Sequence, residues 1–155
     1  MTLITAYIAL GSNLGDRSAN LRAAIELLGV TPGVEIVGVS RDLENPAVGG
    51  PVASPPFINA VAEVRTMLPA AQLLIALLDV EKRLGRVRVH RWEPRLIDLD
   101  VILYGDKLIE SDTLTVPHPL MHRRRFVLEP LAEIAPNVVH PVLKKTIAKL
   151  LQACD

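Results

Sequence analysis

The sequence predicts a single α+β domain over residues 1–155, and three observations support this prediction. A chain of 155 residues has the usual length of one domain and can bury about 68–70% of the surface of its unfolded state. Segments that alternate with the period of a strand are interspersed with segments of helical spacing. Half of the residues are apolar but only five are aromatic, so the core must consist of aliphatic side chains.

Six segments carry these patterns, and turn-forming residues separate most of them. They are a strand over 3–10, a helix over 17–29, strands over 34–43 and 57–66, a helix over 69–85 and a strand over 97–104. We expect the second and third strands to pair, and a short amphipathic helix to follow over 143–151. The order strand, helix, strand, strand, helix, strand is that of the ferredoxin-like βαββαβ core, to which the C-terminal segment is an addition.

Two segments that contain glycine are expected to be loops. Residues 11–15 include Gly11 and Gly15 but lack the Lys-Ser/Thr ending of a P-loop and the spacing of a dinucleotide fingerprint, so we expect a tight turn. Residues 44–56 contain four prolines and the pair Gly49 and Gly50, with almost no periodicity. Loops of that length are usually functional or disordered.

Charge and cysteine content exclude several classes of protein. The 17 cationic and 17 anionic residues cancel, so no global field would attract nucleic acid or a membrane surface. The single Cys154 excludes an intrachain disulfide and a cysteine-rich zinc site. The apolar run at 3–10 is too short to span a membrane and lacks the basic flank of a signal peptide. We therefore expect a cytoplasmic protein.

The last of the six segments carries the candidate chemistry. Alternation predicts two faces of the strand: Asp98, Asp100, Ile102 and Tyr104 on one, and Ile97, Leu99, Val101 and Leu103 on the other. Two carboxylates about 7 Å apart along a strand repel each other unless a proton or a cation lies between them. Oxygen ligands that leave room for water and phosphates suit Mg²⁺. The alternative is an exposed strand face with two solvated acids.

A dense cationic segment precedes this strand. Six cations fall within fourteen residues: Lys82, Arg83, Arg86, Arg88, Arg91 and Arg95. The alternative here is ordinary surface charge on a solvated loop. Beside the paired carboxylates, however, the cluster favours a phosphate-binding site, because guanidinium groups bind phosphate oxygens in a bidentate manner.

Several separate motifs resemble those of the 6-hydroxymethyl-7,8-dihydropterin pyrophosphokinase family, which acts in folate biosynthesis. The matching segments are 6–14, 57–61, Glu81 with 85–88, 91–100, 116–119, and Arg124 with 126–128. The most specific of them is Pro94-Arg95-x-x-Asp98-Leu99-Asp100. The resemblance covers nearly the whole chain and implies transfer of pyrophosphate from ATP to the pterin hydroxymethyl group, with release of AMP.

The resemblance also implies roles for individual residues. Asp98 and Asp100 would hold two Mg²⁺ ions, and Arg86 and Arg95 would contact the transferring group as catalytic residues. ATP would be bound by Glu81, Arg88, Arg91, Trp92, Thr115, His118 and Arg124. The pterin would be bound by Asn45, Pro46, Val48, Phe57, Asn59, Trp92 and Phe126, with the two phenylalanines on either side of its ring. The chain departs from common family residues at Leu43, Asn45, Ser54 and Leu78.

Two other functions remain open from the residues themselves. One is a Mg²⁺-dependent phosphotransferase or nuclease that acts on another substrate, because Asp-x-Asp and arginines serve many phosphate chemistries. The other is a ferredoxin-like ligand-sensing module without catalysis, because that fold hosts many functions. On the resemblance, the expected partners are ATP and the hydroxymethyl-dihydropterin, without nucleic acid or membrane, and the chain is expected to be a monomer.

Overall fold

The computed structural model describes residues 2–45, 56–85 and 96–154. The strands are Ile4–Ser12 (β1), Val34–Val39 (β2), Leu43–Asn45 (β3), Phe57–Thr66 (β4), Asp98–Tyr104 (β5), Ile109–Glu110 (β6) and Thr115–Val116 (β7). The helices are Arg17–Gly29 (α1), Ala70–Arg83 (α2), Arg125–Ile134 (α3) and Ile147–Ala153 (α4), with a 3₁₀ turn at Met121–Arg123. No helix in the described part of the chain is long and apolar enough to span a membrane.

The main sheet has the order β2-β4-β1-β5, and each neighbouring pair is antiparallel. The short strand β3 also pairs with β4. This is the strand order of a ferredoxin-like core, so the α+β prediction is confirmed, as is the pairing of the second and third predicted strands. The strand β5, which carries the two aspartates, lies at one edge of the sheet and pairs with β1.

Aliphatic clusters fill both faces of the sheet. On one face, Leu21 and Leu28 of α1 and Leu73 and Leu77 of α2 belong to a cluster that also contains Ala6, Ile8 and Leu10 of β1. The other face is covered by the C-terminal additions: Val127, Leu128 and Leu131 of α3 and Ile147 and Leu150 of α4. The protein therefore has three layers, and α3 lies on the sheet face that carries the aspartates.

The predicted turn at 11–15 begins two residues too early. Strand β1 continues through Gly11 and Ser12, which pair with Asn59 and Ile58 of β4. Asp16 then caps α1, because its carboxylate accepts a hydrogen bond from the backbone N–H of Ala19 at 3.1 Å. The prediction that Gly11 belongs to a turn is therefore wrong.

The predicted second strand over 34–43 is divided in two. Ser40 interrupts it: its backbone N–H donates to the carbonyl of Val61, and its hydroxyl accepts a hydrogen bond from the N–H of Val61, each at 2.9 Å. The Ser40 hydroxyl replaces the backbone carbonyl that would accept from Val61 in a regular strand pair. Val61 of β4 therefore keeps both of its backbone hydrogen bonds beyond the end of β2. Pairing with β4 resumes at Leu43.

A bulge changes the predicted faces at the end of β5. Tyr7 of β1 pairs with Leu103, but the next residue, Ile8, pairs with Val101, so Ile102 is the extra residue. Leu103 consequently joins the cluster beneath α3, and Tyr104 joins the cluster beneath α1 and α2. The predicted faces of Leu103 and Tyr104 were wrong for this reason. The aspartates precede the bulge and keep the predicted face.

His140 fixes the turn that precedes α4. Its ring is buried, and Nδ1 accepts hydrogen bonds from the backbone N–H groups of Val142 and Leu143 at 3.2 and 3.1 Å. Burial lowers the pKa of His140, and the nearby ring of His122 lowers it further. The neutral imidazole is therefore the form that stabilises the turn.

We expect the free energy of unfolding to fall as the pH decreases below about 6.5, the pKa of an unperturbed histidine. In that range the unfolded chain binds a proton at His140 that the folded chain does not bind. Urea unfolding between pH 8 and 5.5 should show a shallower decrease for His140→Asn, whose amide oxygen replaces Nδ1 as acceptor. His122→Asn removes only the smaller of the two causes that lower the pKa of His140, so the decrease in the free energy of unfolding with falling pH should be mostly retained. Identical slopes in the wild type and His140→Asn would contradict this assignment.

Candidate active site

A cavity of about 330 Å³ opens on the sheet face that α3 partly covers. Its floor consists of Ala9 and Gly11 from β1 and of Asp98 and Asp100 from β5. Asn45, Phe57 and Asn59 from β3 and β4 line one side, and His118, Arg124 and Phe126 line another. The structure thus brings together residues that were predicted to bind metal, ATP and pterin.

The two aspartates face the cavity across small neighbours. Asp98 pairs with Gly11 and Asp100 with Ala9, so space remains above the neighbouring strand. The described residues contain no group of three or more His, Cys, Asp or Glu side chains that could hold a metal ion. A structural zinc site would need such a group. Mg²⁺ does not, since it is usually held by one or two carboxylates together with water and substrate phosphates. The donor set fits Mg²⁺.

The space between Phe57 on β4 and Phe126 on α3 suits a flat, polar ring. Phe57 and Phe126 both line the cavity and are partly exposed. Asn59 lies on the same side as Phe57, and its Oδ1 is buried with no hydrogen-bond partner among the described residues. A buried polar atom without a partner costs about 1–3 kcal/mol, so a ligand N–H group that reaches Oδ1 would recover that free energy.

Positive charge lies beside the aromatic side chains. The guanidinium carbon of Arg124 lies 5.6 Å from the centre of the Phe126 ring, within the range of a cation–π contact. Arg123 also lines the cavity. Arg124 precedes the first turn of α3, so its position relative to Phe126 is set by the start of that helix. The same cavity is therefore lined by positive charge and by the two carboxylates, as the binding of a metal-bound phosphate would require.

His118 is held in one orientation by the backbone. The backbone N–H of His118 donates a hydrogen bond to the carbonyl of Ile102 at 3.0 Å. The ring Nδ1 accepts a hydrogen bond from the backbone N–H of Leu120 at 3.2 Å. Burial lowers the pKa of His118, Arg124 lowers it further, and Asp98 opposes them. The ring is therefore neutral at neutral pH. Because Nδ1 is an acceptor, the ring proton lies on Nε2, which makes that atom a donor.

Glu81 and Thr115 do not line this cavity. Glu81 of α2 is only 2% exposed, and its Oε2 accepts a hydrogen bond from the backbone N–H of Leu99 at 2.8 Å. Leu99 lies between the two aspartates on the edge strand, so this bond anchors the segment that carries them. Thr115 lies on β7 and lines a second cavity of about 450 Å³, which shares His118 with the first.

Loss of the Glu81 carboxylate should destabilise the protein. Glu81→Ala would leave the buried N–H of Leu99 without this partner, at a cost of about 1–3 kcal/mol. Glu81→Gln retains an acceptor oxygen and should lose less. Urea unfolding would measure the difference, with the exposed neighbour Lys82→Ala as the control variant. If Glu81→Ala were as stable as Lys82→Ala, Glu81 would not anchor β5.

Seven of the site residues indicated by the resemblance lie outside the described residues. They are Pro46, Val48, Arg86, Arg88, Arg91, Trp92 and Arg95. Their roles stay predictions.

Sequence reasoning missed several residues of the cavity. They are Ala9, Leu10, Gly11, Ile102, Arg123 and Val127. Ala9 and Gly11 could have been predicted, because they lie on the same face of β1 by strand alternation once the strand is extended to Ser12. For Val127 the family-matching segment 126–128 was a signal. For Arg123 there was none, because nothing local indicates that the residues just before α3 line this cavity.

Comparison with known proteins identifies the family. The family model described as 7,8-dihydro-6-hydroxymethylpterin-pyrophosphokinase (HPPK) matches residues 7–136. The chain belongs to the HPPK family. This span contains every cavity-lining residue described above, so the family match and the cavity coincide.

Individual HPPK relatives are similar over most of the chain. A Synechocystis protein named 2-amino-4-hydroxy-6-hydroxymethyldihydropteridine pyrophosphokinase is 43% identical over 150 residues, which is 97% of this chain and 76% of the relative. A Methylorubrum extorquens protein of the same name is 42% identical over 147 residues, covering 94% of this chain and 92% of the relative.

A solved structure has the same fold at low sequence identity. The wild-type HPPK-DHPS chain of Plasmodium falciparum, solved with pterin and p-hydroxybenzoate, aligns with a TM-score of 0.74 at 16% identity. The alignment covers 99% of the present chain but 42% of the Plasmodium chain. This likeness supports the ferredoxin-like fold.

Proposed function

We propose an account of how this chain performs the reaction of its family. The chain is an ATP-dependent pyrophosphokinase that transfers pyrophosphate from ATP to 6-hydroxymethyl-7,8-dihydropterin in folate biosynthesis. The main support for this proposal is the composition of the cavity. It joins paired carboxylates, a cation and a buried amide acceptor beside two phenylalanines, within about 330 Å³.

Asp98 and Asp100 are proposed to hold two Mg²⁺ ions. Their carboxylates are the described oxygen donors on the cavity floor, and the small residues beside them leave room for phosphate oxygens and water. The chemistry that Mg²⁺ supplies when bound is neutralisation of charge on the phosphates. The number of ions rests on the family resemblance.

Positively charged and donor groups are proposed to position ATP. Phosphoryl transfer requires mainly positioning and charge stabilisation from the protein. Arg124 places a cation at the cavity wall. The neutral His118 ring offers its Nε2–H group as a hydrogen-bond donor. The remaining ATP contacts proposed from the resemblance are those of Glu81, Arg88, Arg91, Trp92 and Thr115. Arg86 and Arg95 are proposed to contact the transferring group.

The pterin is proposed to lie between the side of the cavity formed by β3 and β4 and the Phe126 ring across from it. Phe57 and Phe126 would pack against its ring, and Asn59 would accept a hydrogen bond from a ring N–H at the buried Oδ1. Asn45 lies on the same wall, where it pairs with Phe57. Roles for Pro46, Val48 and Trp92 in pterin binding are proposed from the resemblance alone.

The chain is further proposed to act as one domain, as a monomer and in the cytoplasm. The described residues that line the cavity come from the main sheet and from the segment 118–127, which supports a single domain. The balanced charge supports the absence of a nucleic-acid partner.

A direct assay tests the function. Purified protein is incubated with ATP, Mg²⁺ and 6-hydroxymethyl-7,8-dihydropterin, and AMP and the pterin diphosphate are measured. AMP should appear in equal amount to the pterin diphosphate, and only when the pterin is present. Release of ADP or inorganic phosphate instead would favour another phosphotransferase. Binding of ATP and pterin without turnover would favour a ligand-sensing module.

A further inference from the structure

Gly11 occupies the centre of the cavity floor, where the proposed function assigns it no role. It pairs with Asn59 of β4 on one side and with Asp98 of β5 on the other. It therefore lies between the proposed pterin wall and the proposed metal ligands. Its φ is not among the positive values found for other glycines, so the backbone conformation does not require glycine here.

The space above Gly11 is occupied by its neighbours. A Cβ atom at this position would lie 2.9 Å from Nδ2 of Asn59 and 3.4 Å from Cδ1 of Phe57. The best separation of two non-bonded carbon atoms is about 3.5–4.0 Å. Any side chain at residue 11 would therefore displace the Asn59 amide, and it would touch the Phe57 ring at ordinary contact distance.

The atom that would have to move belongs to a side chain rather than to the backbone. The Asn59 amide is at the end of a rotatable side chain, so the sheet can accept an alanine at residue 11 if that amide turns. Turning it would redirect the buried Oδ1, the acceptor proposed for the pterin. The cost of a side chain at residue 11 therefore falls on ligand binding more than on folding.

We infer that Gly11 is a positioning residue for the pterin: its missing side chain leaves the space that the Asn59 amide occupies and so sets the orientation of that amide. This inference rests on the proposed function, because it takes the pterin to bind at Asn59. It also explains why β1 must run past the predicted turn, since only a strand residue opposite Asn59 can make this close approach.

The test compares Gly11→Ala with a matched control, Gly38→Ala. Gly38 lies on β2 of the same sheet, and a Cβ atom there would have no neighbour within 4 Å. Calorimetry would measure the affinity for 6-hydroxymethyl-7,8-dihydropterin in the presence of Mg²⁺ and a non-hydrolysable ATP analogue, and the affinity for that analogue alone. Asn59→Ala and the double variant Gly11→Ala/Asn59→Ala complete a cycle.

Gly11→Ala should raise the Kd for the pterin roughly ten- to a hundredfold, the cost of a lost buried hydrogen bond. The Kd for the ATP analogue should change less than about twofold, as should both constants in Gly38→Ala. In the Asn59→Ala background, Gly11→Ala should add less than about twofold, because the amide through which it acts is gone.

Three outcomes would overturn the role of Gly11: wild-type pterin affinity in Gly11→Ala, full additivity with Asn59→Ala, or equal weakening of both ligands. If Gly11→Ala fails to fold while the double variant folds, the clash with Asn59 is supported. If both fail to fold, Gly11 serves the sheet and not the pterin. A wild-type protein that binds no pterin would instead contradict the proposed function.

Discussion

Asp98→Asn and Asp100→Asn should each lower turnover at least about a hundredfold, because each removes a carboxylate from the pair proposed to hold Mg²⁺. The two side chains face the same cavity from alternate positions of β5, and asparagine retains their size. The fold should therefore persist, and the circular dichroism spectrum should be unchanged. AMP formation at increasing Mg²⁺ would measure the loss.

A matched control lies beyond the other end of the same strand. Asp106 is exposed in the turn after β5, outside the cavity, and Asp106→Asn should retain the wild-type rate. Recovery of the rate of Asp98→Asn at saturating Mg²⁺ would indicate weakened metal affinity with intact chemistry. A near-wild-type rate in either cavity variant at ordinary Mg²⁺ would show that the metal assignment is wrong.

Phe126→Ala should weaken pterin binding with little change in ATP binding. Stacking of a heterocyclic base on an aromatic side chain contributes about 1–3 kcal/mol, which corresponds to roughly a ten- to hundredfold rise in Kd. Phe126 lines the cavity while also packing at the border of the cluster beneath α3. Calorimetric titration with the pterin, in the presence of the ATP analogue, would measure the change.

The control for Phe126 must separate binding from packing. Ile134 lies at the far end of the same helix and borders the same aliphatic cluster, but it does not line the cavity. Ile134→Ala should lower the unfolding temperature without changing the affinity for pterin. Equal losses of ATP and pterin affinity in Phe126→Ala would contradict a stacking role, because Phe126 also contacts the Arg124 guanidinium.

The order of the core elements and the face of the two aspartates could be predicted from local sequence patterns. Helix α1 begins and ends where helical spacing and glycine predicted, and β4 has the predicted bounds 57–66. These features depend on local periodicity, which is set by the order of apolar and polar residues close together in the sequence. Asp98 and Asp100 reach the cavity because they alternate with buried Leu99 and Val101 on β5. The family motifs added the chemistry to this local pattern.

The neighbours of each residue across the sheet depend on long-range packing, and local patterns did not predict them. The bulge at Ile102 depends on a mismatch between β5 and β1, and the interruption at Ser40 depends on a hydrogen bond to Val61. Glu81 contacts Leu99 because α2 packs along the edge strand. Such contacts join residues distant in sequence, so no local pattern contains them. The close approach of Gly11 to Asn59 is of the same kind: a single missing Cβ atom becomes significant only when another strand lies beside it.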